Sequence, residues 1–245
     1  MKRILIDPGH GGTDPGAVGN GLREKDINLA VCLELASLLK NRGVEAILTR
    51  GSDVTLALRA RTDLALQHKV MAVISVHHNA GGGQGIETYR SLFNAENARL
   101  GNLIHGELLK AFPEMVNRGA KTRRHPTTPT WDYYHMIREP HRQAGIPAII
   151  TECGFVDNSA DAAIMKRPNF AKTQAEALTR GICAFFGVAW ERAPQIVVNS
   201  SGDNKEVDQR LKAQIESLRR EREQLSAELG IAGGKIADAI KVLTR

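Results

Sequence analysis

The chain reads as an α/β fold: a largely parallel or mixed central sheet covered by helices on both faces, followed by a small all-α C-terminal segment. Three observations predict it. Short apolar runs rich in β-branched residues recur between residues 3 and 151, segments with apolar residues at helical spacing separate them, and after Trp190 the composition turns polar and then charged.

Arg3 to Ile6 is the first apolar run, and Asp7-Pro8-Gly9 ends it, so it reads as a buried strand entering a loop. A Gly-rich stretch continues to Gly21. Ile27, Val31, Leu35 and Leu38 then fall on one helical face, with Asp26 as N-cap and Gly43 as stop, which predicts a helix near 26–42. Val44 to Thr49 is the next strand and Leu56 to Gln67 the next helix. Val70 to Val76 is a continuous apolar run of the kind found in strands covered on both faces. After Gly81 to Gly83 come a strand at Ile86 to Tyr89 and a helix over 94–111, marked by Leu100, Ile104, Leu108 and Leu109. Residues 113–145 carry weak periodicity and read as a long surface excursion. Ile146 to Thr151 is the last strand, and Ala171, Ala175, Leu178, Ile182 and Phe185 mark a helix over 168–186.

The sequence divides into a main domain at 1–190, a linker at 191–203 (ERAPQIVVNSSGD) and a helical segment at 204–245. In that segment Leu211, Ile215, Leu218, Leu225 and Leu229 follow a four-three spacing that Arg222 interrupts. An isolated amphipathic helix is marginal in water, so the segment needs a partner, either through self-association or through docking to cell wall. The absence of aromatic sugar platforms after Trp190 favours association.

Composition narrows the function classes. Hydrophobic residues at 42% supply a core, and aromatic residues at only 4% argue against a stacking platform for single-stranded nucleic acid. The net charge of +6 predicts attraction to polyanions, the anionic bacterial wall among them. Its excess concentrates in Arg118, Lys121, Arg123, Arg124, Arg138 and Arg142, which read either as a solvated basic loop or as a polyanion-facing surface. Cys32, Cys153 and Cys183 are odd in number and lack C-x-x-C spacing, so neither a disulfide framework nor a cysteine metal site is expected. The start MKRILIDPGH breaks too early for a signal peptide, and no run reaches transmembrane length; the expectation is synthesis in the cytoplasm and no membrane insertion.

Residues able to carry chemistry cluster after the strands. Gly9-His10-Gly11-Gly12 fails the spacing of both glycine-rich phosphate loops, and a His between glycines suits a ligand where backbones approach closely; an ordinary turn histidine is the competing reading. Glu24, before the first helix, taken alone reads more readily as helix-end charge than as a ligand. Within His77-His78, neighbouring strand residues point to opposite sides, so one ring must leave the apolar interior for the edge. Glu152 follows Ile149-Ile150-Thr151, where an unpaired buried carboxylate costs several kcal/mol, so the strand should deliver it to a polar cavity. Two His and one Glu are a ligand set for zinc that leaves a fourth position open, and a further carboxylate can serve as general base.

At these residues the chain resembles the Amidase_3 family of zinc-dependent N-acetylmuramoyl-L-alanine amidases, which includes bacterial autolysins and phage endolysins. The segments that carry the resemblance are ILIDPGHGGTDPGA, REKDINL, ISVHHNA, GIETY, NRGAK and ITECGFVDN, in the family's order, over roughly residues 3–187. The resemblance implies His10, Glu24 and His77 as ligands of one zinc ion, His78 as a neighbour, and Glu152 as the catalytic carboxylate. It further implies peptidoglycan as substrate, cut between N-acetylmuramic acid and L-alanine by zinc-activated water. The 113–145 stretch matches the family least. Together with the missing export signal, the resemblance points to an endolysin that reaches the wall after release across the membrane. A zinc peptidase or deacetylase acting on wall material is the alternative within enzymes; a non-catalytic wall-binding module is the alternative outside them.

Overall fold

The computed structural model describes residues 2–190 together with Glu216 and Arg220. In chain order the elements are β1 (Lys2–Pro8), β2 (Val18–Gly19), β3 (Leu22–Arg23), α1 (Glu24–Lys40), β4 (Val44–Leu48), α2 (Leu58–Gln67), β5 (Ala72–Asn79) and β6 (Ile86–Arg90). They continue with α3 (Ala95–Ala111), β7 (Asn117–Lys121), α4 (His135–Ala144), β8 (Ala148–Phe155), α5 (Ser159–Met165) and α6 (Phe170–Phe186). Six strands form one mixed sheet in the order β4-β1-β5-β8-β6-β7, and β2-β3 form a small ribbon. β4, β1, β5 and β8 run parallel, β6 runs against β8, and β7 runs with β6.

Alternation along the central strands sorts side chains between two cores. Ile4, Ile6, Ile74, Val76 and Ile149 join the core that holds Val31 and Leu35 of α1, Ile104 of α3 and Leu178 of α6. Leu5, Val73, Ala148 and Ile150 join the opposite core, with Ala65 of α2 and Met136 and Ile137 of α4. Strands covered on both faces must be apolar throughout, which is why they read as continuous runs rather than alternating ones.

Chain order places β4 on one side of β1 and β5 on the other. The carboxyl ends of β1 and β5 therefore flank a point where the strand order reverses, the place where ligands gather in such sheets. The loop at 9–17 leaves β1 at that point.

Several sequence expectations are corrected. α1 begins at Glu24, and Asp26 lies inside its first turn rather than capping it. The loop carbonyls of Ala17 and Pro15 accept from the N–H groups of Glu24 and Lys25, at 2.9 and 3.1 Å, and so do the work of a capping side chain. The 113–145 stretch is not merely a surface excursion, because it contributes edge strand β7 and helix α4. β5 continues through His77 and His78 instead of stopping at Val76. All three cysteines are buried and free.

Met1–Glu191 forms one compact unit, and Arg192–Arg245 is a separate one. Of the second, Glu216 and Arg220 are helical and exposed; the expected linker at 191–203 and the leucine seam lie outside the described residues.

Candidate active site

The loop after β1 is fixed from below before it carries any chemistry. Asp7 is buried at the end of β1 and accepts from Thr49 Oγ1 at 2.7 Å, Ser75 Oγ at 2.6 Å and Arg61 Nη1 at 2.8 Å. Burial alone would raise its pKa, but the Arg61 charge and these hydrogen bonds outweigh that and hold the carboxyl below its ordinary value. Arg61 also donates to the carbonyls of Pro8 and His10, both at 2.7 Å. Arg50 donates to the carbonyls of Pro8, at 3.0 Å, and of Gly9 and Lys25, at 2.9 Å. Two buried guanidinium groups thus satisfy carbonyls that a tight loop cannot pair with itself.

On this base, His10 adopts left-handed backbone geometry at φ 60°, which histidine tolerates better than bulky residues do. The preceding Gly9 lies against the His77 ring: a Cβ there would come within 2.2 Å of His77 Cε1. Only glycine permits that approach.

The three side chains expected to meet do so. His10, Glu24 and His77 each offer a ligand atom, and these atoms all lie within 4.8 Å of one another. His10 Nε2 is 3.1 Å from Glu24 Oε2, and His77 Nδ1 is 2.9 Å from Glu24 Oε1. His10 Nδ1 faces Asp14 Oδ2 at 2.8 Å, so its other nitrogen is turned inward in the manner of metal-ligating imidazoles backed by a carboxylate. Glu24 is held by the N–H groups of Ala17 and His78, at 2.8 and 3.1 Å, and by Asn28 Nδ2 at 3.3 Å.

Charge distribution supports a cation in this space. Burial lowers the pKa of both ring systems, yet bonding and charge from Glu24 more than compensate, raising His10 and pushing His77 up to about 9. Glu24 is itself driven far below the carboxylate range by the two imidazoles, against its burial. The buried carboxylate thus favours positive charge on both neighbouring rings, and a divalent ion would supply such charge from one point. Two imidazole nitrogens and a carboxylate are a donor set that suits zinc.

Glu152 lies directly beside this group, since its Cα is in register with His77 across β5 and β8. It is half-buried, and among the described residues its carboxylate has no hydrogen-bond partner. Burial pushes it up to about 7; His77 opposes this, while Glu24 and Glu87 add to it.

His78 points the other way and is 1% exposed. Asn28 Nδ2 donates to the Gly9 carbonyl and to Glu24, so Asn28 Oδ1 faces His78 Nδ1 at 2.8 Å and takes its proton. Burial pushes His78 down to about 4, which leaves a neutral ring with Nε2 toward Gln174.

Asp7, Asp14, Asn28, Arg50 and Arg61 were not singled out as site residues by the sequence. Asp14 has a local signal, four residues after His10 in the same glycine-rich loop. Arg61 has none, because the Asp7 carboxylate and the Pro8 and His10 carbonyls it bonds lie more than fifty residues away.

The chain matches the family model described as N-acetylmuramoyl-L-alanine amidase over residues 4–184. It is 37% identical over 185 residues to the sporulation-specific N-acetylmuramoyl-L-alanine amidase of Bacillus subtilis (strain 168), covering 74% of this chain and 67% of that one. It is 34% identical over 188 residues to the endolysin of Bacillus phage SPP1, covering 74% and 65%. The catalytic domain of CwlV, an N-acetylmuramoyl-L-alanine amidase from Bacillus (Paenibacillus) polymyxa var. colistinus, superimposes with a TM-score of 0.67 at 30% identity, covering 77% of this chain and all of that domain.

Proposed function

Because this chain belongs to the N-acetylmuramoyl-L-alanine amidase family, we propose that it hydrolyses the amide between muramic acid and L-alanine of peptidoglycan with His10, Glu24 and His77 as metal ligands and Glu152 as proton carrier. The observation that carries this reading is the meeting of those three donor side chains with Glu152 in register beside them.

His10, Glu24 and His77 would hold zinc, which would supply Lewis-acid polarisation of the scissile carbonyl. The protein's own groups perform the rest. Asp14 fixes the orientation of the His10 ring, and Asn28 with the Ala17 and His78 N–H groups fixes Glu24. Glu152 accepts a proton from the attacking water as the new C–O bond forms. As the C–N bond breaks, it returns that proton to the departing nitrogen of L-alanine. Burial, which favours the neutral carboxyl, helps Glu152 to hold the proton between the two halves of this exchange. The products are a glycan bearing a free lactyl carboxylate and a stem peptide with a free amino terminus.

Digestion of purified sacculi with the whole protein, followed by mass analysis, tests the reading. Released peptides that begin with L-alanine are expected; new termini inside the stem would support the peptidase alternative, and loss of acetyl groups the deacetylase alternative.

The endolysin relative supports action on the wall after release across the membrane. Among the described residues, no helix is long and apolar enough to cross one. For the rest of the chain we propose a linker at 191–203 and self-association through the Leu211–Leu229 seam, a reading supported by the four-three spacing of that seam.

A further inference from the structure

Next to the proposed metal group, a second cluster of charged residues is built around a buried carboxylate. Glu87 on β6 is 2% exposed, and its Cα is in register with Glu152. His77, Glu152 and Glu87 therefore form a row across three adjacent strands, β5, β8 and β6. Glu87 Oε1 accepts from Asn79 Nδ2 at 2.9 Å and from Tyr89 OH at 3.0 Å. Its Oε2 accepts from Arg118 Nε at 2.7 Å and Lys121 Nζ at 2.5 Å. Both cations come from β7 and retain about a third of their exposure, 34% and 35%.

A buried carboxylate needs one counter-charge. Here two cations share the Glu87 carboxylate, with Glu152 in register beside it. Among the described residues, the Nη nitrogens of Arg118 have no other hydrogen-bond partner, and Lys121 bonds only to Glu87. Arg118 is held in place by stacking over the Phe155 ring at 4.8 Å. Arg118 and Lys121 thus keep donors unused at partly exposed positions.

From this cluster we infer a cationic subsite in which Arg118 and Lys121, aimed by Glu87, bind a carboxylate of the stem peptide on the residue that follows L-alanine. The inference rests on the amidase reading given above. Its direction follows from the chemistry: Glu152 protonates the leaving nitrogen, so the peptide departs on the side of Glu152 away from His77, which is the side of Glu87. Its distance follows from strand geometry. Adjacent strands lie about 4.8 Å apart, and an extended peptide advances about 3.3–3.6 Å per residue, so one to two residues beyond the scissile amide carry the chain over Glu87. The residue after L-alanine in the stem is acidic and supplies the anion.

The test uses the whole zinc-loaded protein and two soluble substrates: the disaccharide dipeptide N-acetylglucosaminyl-N-acetylmuramoyl-L-alanyl-D-glutamate with free carboxylates, and the same compound with both amidated. Hydrogen bonds to a charged group predict that wild type favours the free acid by roughly 10- to 100-fold in kcat/KM. In Lys121→Met and Arg118→Gln that ratio should fall toward one, chiefly through KM, and Lys121→Arg should restore it. Equal rates on the two substrates in wild type, or an unchanged ratio in Lys121→Met, would overturn the subsite while leaving the amidase reading intact. No hydrolysis of either substrate would overturn both.

Discussion

Replacing Arg61 with methionine keeps most of the side-chain volume and removes the charge from beneath the site. Asp7 and Arg61 are almost fully buried, at 1% and 5% side-chain exposure, so solvent screens the pair little. Removing one partner of such a pair leaves a buried charge without compensation and costs about 3–5 kcal/mol. For a cooperative unit of this size, each kcal/mol lowers Tm by about 2–4 °C, so the variant should melt roughly 6–20 °C lower. The sign of the pH dependence is specific. In wild type the folded pKa of Asp7 lies below its unfolded value, so its stabilisation is present above about pH 3.9 and is lost as pH falls through the lower folded value. In the variant, burial acts without the Arg61 charge and the folded pKa rises above the unfolded one. The deficit should therefore be largest at neutral pH and shrink as the solution is acidified toward pH 4. Circular-dichroism melts of the whole chain in chelator, between pH 4 and 7, measure both effects. The double variant Asp7→Asn/Arg61→Met should be less destabilised than the sum of the single ones. A deficit below about 1 kcal/mol, or one that does not change with pH, would refute the assignment of Arg61 as the charge that holds this loop.

Other consequences follow from the same geometry. Glu152→Gln should lower kcat by about 10² or more while zinc content, read by elemental analysis, stays at one ion per chain; full activity would remove Glu152 from proton transfer. Asn28→Ala withdraws a donor from Glu24 and the acceptor of His78, and should weaken zinc affinity by about 10- to 100-fold in a competition titration with a chelating dye. Gly9→Ala would drive a methyl group into the His77 ring and should reduce activity by a larger factor than it reduces Tm-derived stability, as paired kinetic and melting measurements would reveal. Truncation at residue 195 should convert an oligomer into a monomer by light scattering; monomers for both forms would eliminate the self-association proposal.

The sequence and the structure agree where a local pattern reflects a local cause. The central strands β1, β5 and β8 are legible because burial on both faces demands unbroken apolar runs, and α3 and α6 because one face of each packs on a core. α4 is hidden because only Met136, Ile137 and Pro140 are buried in its ten residues, and a proline within it imitates a loop. β7 is an edge strand with polar, half-buried residues, so it lacks the apolar signature of its neighbours. The site divides in the same way. His10, Glu24, His77 and Glu152 stand in distinctive short motifs. Glu87 does so too, within GIETY, yet its significance depends on lying across from Glu152 and receiving Arg118 and Lys121 from another strand. Arg50 leaves no trace in side-chain pattern because it bonds only backbone, and Arg61 leaves none because Asp7 and the carbonyls beside it are distant in sequence.

The proposed chemistry depends on one ion held by three side chains next to Glu152. Anomalous diffraction at the zinc edge, from crystals of the whole protein grown with zinc, tests this most directly. A single peak about 2.0–2.2 Å from His10 Nε2, His77 Nδ1 and a Glu24 oxygen is the predicted result. A zinc ion bound elsewhere, or those side chains still bonded to one another with no peak between them, would contradict it.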